Sequence, residues 1–455
     1  MLQTIQEMTA AELLAATNGK LLFGTADQAV QSISTDSREM GPDCLYVPIV
    51  GGRFDGHDFI LPAITNGAKG YLTQKEADLP DATFAISVES TEAALLQIAA
   101  AYRKKFPVSI VAVTGSVGKT TTKELTAAVL KERFITQKTE GNHNNQIGFP
   151  FTIFGLKSDT QAAVVEMGMS GFGEIIGYSR CARPEIAVIT NIGTSHIEHL
   201  KSQEGILKAK CEIFEGMDST GVAVLNGDDP YLRTLKGTLK QKAVWFGIEH
   251  AGCDVRAEHI RTTPEGTSFA IGTSEFFLPI AGRHNVYNAL AAYCVGKQFG
   301  LDDGAIAQGF LQYAPDGIRQ TVRQREDGVT VITDCYNASP QSVMAALDVL
   351  HAHTGSRKIA VLGDMAELGD AAPLYHYETG IYFGKTGADM LVAVGPLSKH
   401  TAAGARDFGV PKEQVRQFGQ NAQAAKFLKQ ALKPGDTVLI KGSRCMKMEE
   451  IANAI

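Results

Sequence analysis

The segment Ile110-Val-Ala-Val-Thr-Gly115-Ser-Val-Gly118-Lys119-Thr120-Thr121-Thr122 runs directly into the helical Lys123-Glu-Leu-Thr-Ala-Ala-Val-Leu130. An apolar strand that turns through small residues into a helix aims successive backbone N–H groups and the helix N-terminus at one point, and that geometry binds phosphate. Lys119 can reach β- and γ-phosphates, and the Thr120 hydroxyl can ligate Mg²⁺. Val113 stands where the strict GxxxxGK[ST] pattern has its first glycine, so an ordinary glycine-rich β–α turn is the plain alternative.

Magnesium needs further oxygen ligands, and one or two carboxylates are usual. Glu166 ends the apolar run Ala162-Ala-Val-Val-Glu166, and His196 closes Thr190-Asn-Ile-Gly-Thr-Ser-His196. Both follow strands whose carboxyl ends are where open α/β sheets keep their ligands. Either residue can equally be a structural hydrogen-bonder. Lys210, in Ile206-Leu-Lys-Ala-Lys210-Cys-Glu-Ile-Phe214, reads on its own as a surface lysine of a helix.

These side chains need a scaffold of parallel strands, and the hydrophobic pattern supplies one. Nearly continuous apolar runs at Ser109–Thr114, Ala162–Glu166, Ile186–Thr190 and Val222–Asn226 alternate with amphipathic stretches, as expected of strands covered on both faces. Residues 250–280 read as short antiparallel strands and Val286–Val295 as a helix. A second series begins near Pro315-Asp316-Gly317, with strands at Val329–Asp334, Lys358–Leu362, Met390–Val394 and Thr437–Ile440. Before them, β-like Cys44–Val50, helix-like Phe59–Ile64 and helical Thr91–Tyr102 lead to Phe106-Pro107, a natural boundary. The expected fold is α/β in three domains, 1–107, 108–315 and 316–455, the central one a P-loop-type parallel sheet and the last Rossmann-like.

Composition narrows the class. The 455 residues are 44% hydrophobic and 20% charged with a net charge of −6, which excludes wholesale disorder and offers no overall basic field for nucleic acid. No run approaches a membrane span and no leader is legible, so a cytoplasmic location without membrane insertion is expected. Seven scattered cysteines without a CxxC pair fit reduced thiols and give no support to a zinc site. Trp245, the methionines and Tyr375-His376-Tyr377 read as packing or surface.

The motifs, taken in order, resemble the Mur ligases, ATP-dependent amide-bond-forming enzymes of peptidoglycan synthesis. The likeness covers Thr35-Asp-Ser-Arg38 with Asp55-Gly-His57, then Thr114–Thr121, Gly141-Asn-His-Asn-Asn-Gln-Ile-Gly148, Glu166-Met-Gly168, Asn191–His196 and Ala209-Lys210. It continues through Gly282-Arg-His-Asn-Val-Tyr-Asn288, Gly317-Ile-Arg319, Asp334-Cys-Tyr-Asn-Ala-Ser-Pro340, Leu362-Gly-Asp-Met365 and Lys441-Gly-Ser-Arg444. Within the family, the DxYNAxP and NNxIG segments point to the branch that adds D-Ala-D-Ala to UDP-N-acetylmuramoyl-tripeptide.

The resemblance implies roles that the residues alone do not. ATP would be held by Thr114, Gly115, Ser116, Val117, Gly118, Lys119, Thr120 and Thr121, with Asn288 on adenine, Asp334 on ribose and Arg319 near the phosphates. Two Mg²⁺ ions would be held by Thr120, Glu166 and His196, with Lys210 carbamylated to face the second. Ser37 and Arg38 would lie in the uridine-nucleotide pocket, and Asn142, Asn144 and Asn145 in the central cleft. Tyr336, Asn337, Ser443 and Arg444 would help bind the dipeptide. Ser339 and Cys445 depart from the family pattern, where Asn and Gly are common, and both fall in that dipeptide region.

The implied chemistry activates a carboxylate as an acyl phosphate, which the dipeptide amine then attacks. Lys119, Glu166, His196 and Lys210 would carry it, with the domains of a monomer closing on ATP to exclude water. Three rivals stand beside this reading. A sister Mur or folylpolyglutamate-synthase-like ligase shares the ATP site; the DxYNAxP and NNxIG segments argue against the sisters, and TDSR with DxYNAxP against the folate enzyme. A switch or motor ATPase would want a Walker-B strand, which is not evident. A non-catalytic scaffold would not be expected to retain Lys119, Thr120, Glu166, His196 and Lys210 together.

Overall fold

The computed structural model describes residues 1–52, 54–75, 82–314, 319–353 and 355–455. The expected start of the second α/β series at Pro315-Asp316-Gly317, and with it the 315/316 boundary, lies outside the described residues.

The central sheet has seven parallel strands in the spatial order Val255–Arg256, Lys242–Gly247, Val222–Asn226, Ile186–Ile189, Ser109–Thr114, Ala162–Glu166 and Thr136–Lys138. The apolar runs read from the sequence are its inner strands, fully buried because helices cover both faces. From Ser109–Thr114 the chain passes to the edge strand Thr136–Lys138, returns inward to Ala162–Glu166, then crosses to Ile186–Ile189 on the other side. The carboxyl end of Ser109–Thr114 is therefore a topological switch point, where a crevice opens between neighbouring strands. Two of its neighbours end level with it: Glu166 pairs in register with Val113, and Ile189 with Thr114.

Lys242–Gly247, which carries Trp245, was not legible as a strand; it extends the sheet on the side away from the loop. The expected antiparallel unit is present as Glu258–Thr263, Gly266–Ile271 and Ser274–Leu278. The expected helix Val286–Val295 is the interior of a longer one, Arg283–Gln298.

The N-terminal region forms a six-stranded mixed sheet, with parallel inner pairs and antiparallel edges made by Leu2–Thr9 and Lys20–Phe23. The C-terminal sheet also has six strands. Five are parallel, and Thr321–Gln324 adds an antiparallel edge beside Thr330–Asp334. Asp334 and Lys441 end adjacent strands in register, at the carboxyl edge of that sheet.

Among the described residues no helix is long and apolar enough to cross a membrane.

Candidate active site

The loop after Ser109–Thr114 is shaped by two glycines with positive φ, Gly115 at +149° and Gly118 at +85°. A Cβ at Gly115 would overlap the Thr190 hydroxyl, and one at Gly118 would overlap Asn288 Oδ1. Those close approaches are why side-chained residues are excluded there. Asn191, on the neighbouring strand's exit loop, clamps the turn: its Oδ1 accepts the Val117 N–H at 2.9 Å and its Nδ2 donates to the Val117 carbonyl at 2.9 Å. Thr190 Oγ1 donates to the same carbonyl at 2.6 Å, and Ser116 Oγ accepts from Gly193 N–H at 2.9 Å. The helix Lys119–Lys131 then starts with its first N–H groups facing the crevice.

Lys119 Nζ donates to the Gly115 carbonyl at 2.8 Å, which holds the ammonium against its own loop. Burial pulls its pKa below the ordinary lysine value; Glu166 and Glu367 oppose that shift while Arg319 adds to it. Thr120 Oγ1 donates to Glu166 Oε2 at 2.8 Å, and Asn144 Nδ2 to Glu166 Oε1 at 2.7 Å. The Glu166 backbone is pinned as well, its N–H donating to Thr139 Oγ1 at 2.9 Å. Asn288 is held by Thr122 Oγ1 at 3.1 Å and by its own donation to Asn285 Oδ1 at 3.1 Å.

Lys210 is buried and, among the described residues, meets no carboxylate and donates no side-chain hydrogen bond. Burial first, and the nearby Lys119 charge second, push its pKa well below the ordinary lysine value. The surface reading of this helix position is therefore corrected: Lys210 faces inward, into the cleft.

From the other side comes the C-terminal domain. Arg319 lies over the Tyr336 ring, 3.5 Å from guanidinium carbon to centroid, a cation–π stack that fixes both. Lys441 Nζ pairs with Asp334 Oδ2 at 2.5 Å and also donates to the Asn337 carbonyl at 3.0 Å. Gln341 meets Thr194 Oγ1 at 3.2 Å across the junction. Glu367 Oε2 stands 2.6 Å from His196 Nδ1, and the imidazole beside it holds the glutamate below its usual carboxylate range.

Together these groups line one cavity of about 560 Å³. It gathers Ser116, Val117, Gly118, Lys119, Thr120, Thr121, Asn144, Asn145, Glu166, His196, Lys210 and Asn288 from the central domain, and Arg319, Asp334, Tyr336 and Asn337 from the C-terminal one. Thr114 and Gly115 sit beneath the loop, with Thr114 Oγ1 donating to the Met167 carbonyl at 2.8 Å.

Other expected site residues lie outside the lining. The Asn142 carbonyl accepts Asn144 N–H at 2.7 Å, shaping the loop. Arg38 is exposed and paired with Asp36 at 2.7 Å, and the Ser37 carbonyl accepts from Asn66 at 2.8 Å, both within the N-terminal domain. Ser443 is buried, accepting Ala366 N–H at 2.9 Å, and Arg444 pairs outward with Glu449 at 2.6 Å. Sequence reasoning passed over Glu367, two residues beyond the Leu362-Gly-Asp-Met365 segment it quoted; nothing local marks that glutamate as facing a histidine.

Three Mur ligase family models match the chain: the family's catalytic domain over residues 29–114, the middle domain over 113–296, and the glutamate ligase domain over 318–444. The chain belongs to the Mur ligase family. A UDP-N-acetylmuramoyl-tripeptide–D-alanyl-D-alanine ligase of Bacillus subtilis is 38% identical, over 93% of this chain and 92% of that protein. A MurF crystal structure from Acinetobacter baumannii superposes with a TM-score of 0.91 at 31% identity, covering 99% of each chain. MurF ligase from Thermotoga maritima, solved in complex with ADP, gives 0.82 at 28% identity over 93% of this chain and 96% of that one.

Proposed function

We propose that the protein is an ATP-dependent ligase that joins D-Ala-D-Ala to UDP-N-acetylmuramoyl-tripeptide, giving the UDP-linked pentapeptide, ADP and phosphate. The observation that carries this reading is the two-sided cleft. A phosphate loop, a Thr–Glu pair and a buried lysine from one domain face Arg319, Asp334 and Tyr336 from another, in a chain similar throughout to ligases of that name. ATP and UDP-linked precursors are cytoplasmic compounds, which sets the expected location.

In this reading residues 1–107 bind the uridine nucleotide through Ser37 and Arg38. Residues 108–315 form a P-loop-type unit that binds ATP, and residues 316–455 close over it and receive the dipeptide. The phosphates lie on the N–H groups of Ser116–Thr121, where Lys119 exchanges its bond to the Gly115 carbonyl for the β/γ-oxygens. Asn288 takes adenine, Asp334 the ribose, and Arg319 the phosphates, its guanidinium already oriented by Tyr336. Asn144 and Asn145 line the path of the muramoyl peptide, with Asn142 shaping their loop. Tyr336 and Asn337 face the incoming dipeptide, and Ser443 and Arg444 support that end of the site.

The donor set fits magnesium. Mg²⁺ asks for hard oxygens and keeps several from substrate phosphates and water. Thr120 Oγ1 and Glu166 Oε2 already stand 2.8 Å apart in the cleft. Among the described residues no three His, Cys, Asp or Glu side chains form a closed metal cage, which suits an ion shared with nucleotide. His196 and a carbamylated Lys210 would complete the protein ligands for two ions. When bound, the ions neutralise phosphate charge.

A carboxylate resists amines because oxide is its leaving group. Phosphoryl transfer from ATP to the tripeptide carboxylate forms an acyl phosphate, and positioning with charge neutralisation accounts for most of the acceleration. Lys119 and the loop N–H groups neutralise the transferring phosphoryl group. The dipeptide amine then attacks the acyl carbon, a tetrahedral intermediate collapses, and phosphate departs. Closure of the C-terminal domain excludes the water that would hydrolyse the acyl phosphate.

The test is phosphate release from ATP and Mg²⁺ with UDP-N-acetylmuramoyl-tripeptide, with and without D-Ala-D-Ala, followed by the product mass. Dipeptide-dependent release and a pentapeptide mass are expected. Lys119→Ala should abolish turnover while the circular-dichroism spectrum stays unchanged. Turnover indifferent to both substrates would overturn the assignment.

A further inference from the structure

His196 enters the cleft from the central domain, and Glu367 reaches it from the C-terminal one, Nδ1 to Oε2 at 2.6 Å. The angle falls outside hydrogen-bond range, so in this arrangement Nδ1 is buried beside the carboxylate without a formed hydrogen bond. A carboxylate only accepts, however, so at that separation the ring hydrogen belongs on Nδ1 and the Nε2 lone pair is left for another partner. Metal-ligating histidines nearly always give their other ring N–H to a carboxylate or carbonyl, which fixes tautomer and ring orientation.

The placement of this pair is imposed on both sides. His196 and Glu367 are both non-glycine residues in the left-handed region, with φ of +63° and +62°. Such conformations persist only where the surroundings over-determine them. On the Glu367 side the surroundings belong to the C-terminal domain. Met365 N–H donates to His376 Nε2 at 3.0 Å, and His376 Nδ1 is fixed by the Ala372 carbonyl at 2.7 Å. Ala366 N–H donates to Ser443 Oγ at 2.9 Å. One backbone bond, Glu198 N–H to the Glu367 carbonyl at 3.4 Å, then ties the loop across the junction.

We propose that Glu367 is a positioning residue for His196, so that this ligand of the central domain takes its working tautomer and orientation only when the C-terminal domain is docked. The proposal rests on the reading of His196 as a magnesium ligand and goes beyond it. Metal retention becomes a property of the domain arrangement, and a separated C-terminal domain leaves the histidine ring free to turn and change tautomer.

Two measurements on the full-length protein decide it. Two-bond ¹H–¹⁵N correlations of the imidazoles, with His196 assigned from a His196→Asn spectrum, report the tautomer without any metal. Electron paramagnetic resonance of added Mn²⁺ alone reports affinity. The wild type should show a His196 with hydrogen on Nδ1. Glu367→Ala should show mixed tautomers and Mn²⁺ binding weaker on the order of 10- to 100-fold. Glu367→Gln, which keeps an acceptor, should preserve the tautomer and lose less affinity. A merely structural glutamate would lower the melting temperature and leave the tautomer alone. A folded Glu367→Ala with wild-type tautomer and Mn²⁺ affinity within about twofold, well short of that loss, would overturn the proposal. Should that variant not fold, Glu367→Asp carries the test, because it keeps the charge but withdraws it from the ring, and the same losses are expected. If Mn²⁺ binding is indifferent to His196→Ala, the metal reading itself fails, and this inference with it.

Discussion

Lys123 shows what a single buried side chain contributes to this site. Its side chain is fully buried, donates to the Thr139 carbonyl at 2.6 Å and pairs with Glu124 at 2.8 Å, while Glu124 also pairs with Lys138. Thr139 in turn receives the Glu166 N–H, so Lys123 stands two links behind the candidate metal carboxylate. Lys123→Met leaves the carbonyl and part of the Glu124 charge without a partner. A loss on the order of 3 kcal/mol is expected in chemical denaturation, together with a fall in kcat.

The pH dependence has a definite sign. Burial would raise the Glu124 pKa, but Lys123 and Lys138 outweigh it and hold the folded value below the ordinary 4.5. The stability from this carboxylate is therefore complete above 4.5 and is lost as pH falls through the lower folded value. The gap between wild type and Lys123→Met should be widest near neutrality and shrink on acidification; a gap independent of pH would count against the triad.

Lys210 calls for a different measurement. A buried amine with a depressed pKa and, among the described residues, no carboxylate partner suits the proposed carbamate, in which the amine attacks CO₂, forming an N–C bond and releasing a proton. Lys210→Ala should be nearly inactive and partly rescued by small carboxylates, and full activity without rescue would sink the carbamate role. Sequence reasoning found Lys119 and not Lys123, four residues on in the same helix. A glycine-rich turn marks the first, whereas only the fold buries the second.

At the scale of elements, the strand–loop–helix unit depends on its neighbours as much as on its own residues. Gly118→Ala meets both a backbone at φ +85° and the Asn288 side chain. The backbone conformation alone costs a side-chained residue about 1–2 kcal/mol, and displacing Asn288 disturbs the proposed adenine partner. ADP binding by calorimetry should weaken more than tenfold, about 1.4 kcal/mol, with little change in secondary structure. Unchanged binding would mean that the nucleotide does not rest on this turn.

Strands such as Ser109–Thr114 and Ala162–Glu166 were legible to the residue because burial on both faces demands unbroken apolar runs. Leu2–Thr9 was not. It is an antiparallel edge with a register irregularity and exposed positions interrupting the buried ones, so its sequence carries no clear alternation.

For the whole molecule, the domain boundaries differ in kind. One hydrophobic cluster runs from Ile5 through Tyr102, Phe106 and Ile110 to Trp245, so the N-terminal and central domains share a core across the expected 107/108 division. Tyr102 accepts Gln6 N–H at 2.9 Å and donates to the Leu156 carbonyl at 3.1 Å, while Arg103 donates to the Ala182 carbonyl at 3.0 Å. Among the described residues, the clusters of the C-terminal domain draw from outside it only on Ala281 and the partly buried Ile197. Calorimetry should therefore show the N-terminal and central domains melting as one unit and the C-terminal domain separately, with ADP raising both transitions. Tyr102→Phe should cost the first transition about 1–2 kcal/mol and leave the second unmoved. A distinct N-terminal transition in the wild type would contradict the shared core.

What the sequence determined by itself was local: a glycine-shaped loop between an apolar strand and a helix, carboxyl-end positions for Glu166 and His196, and an ordered set of motifs that identifies the family. Each element or motif is written in a short consecutive stretch, where backbone geometry and hydrophobic period act directly, and the motifs identify the family by their order. The tertiary structure alone decided that Lys210 is buried, among the described residues without a counter-ion, that Lys123 braces Glu166 through Thr139, and that Ser443 anchors the loop presenting Glu367 to His196. Those relations join segments far apart in the chain. They depend on which strand ends the sheet order brings together and on how two domains meet, and no local spacing encodes either.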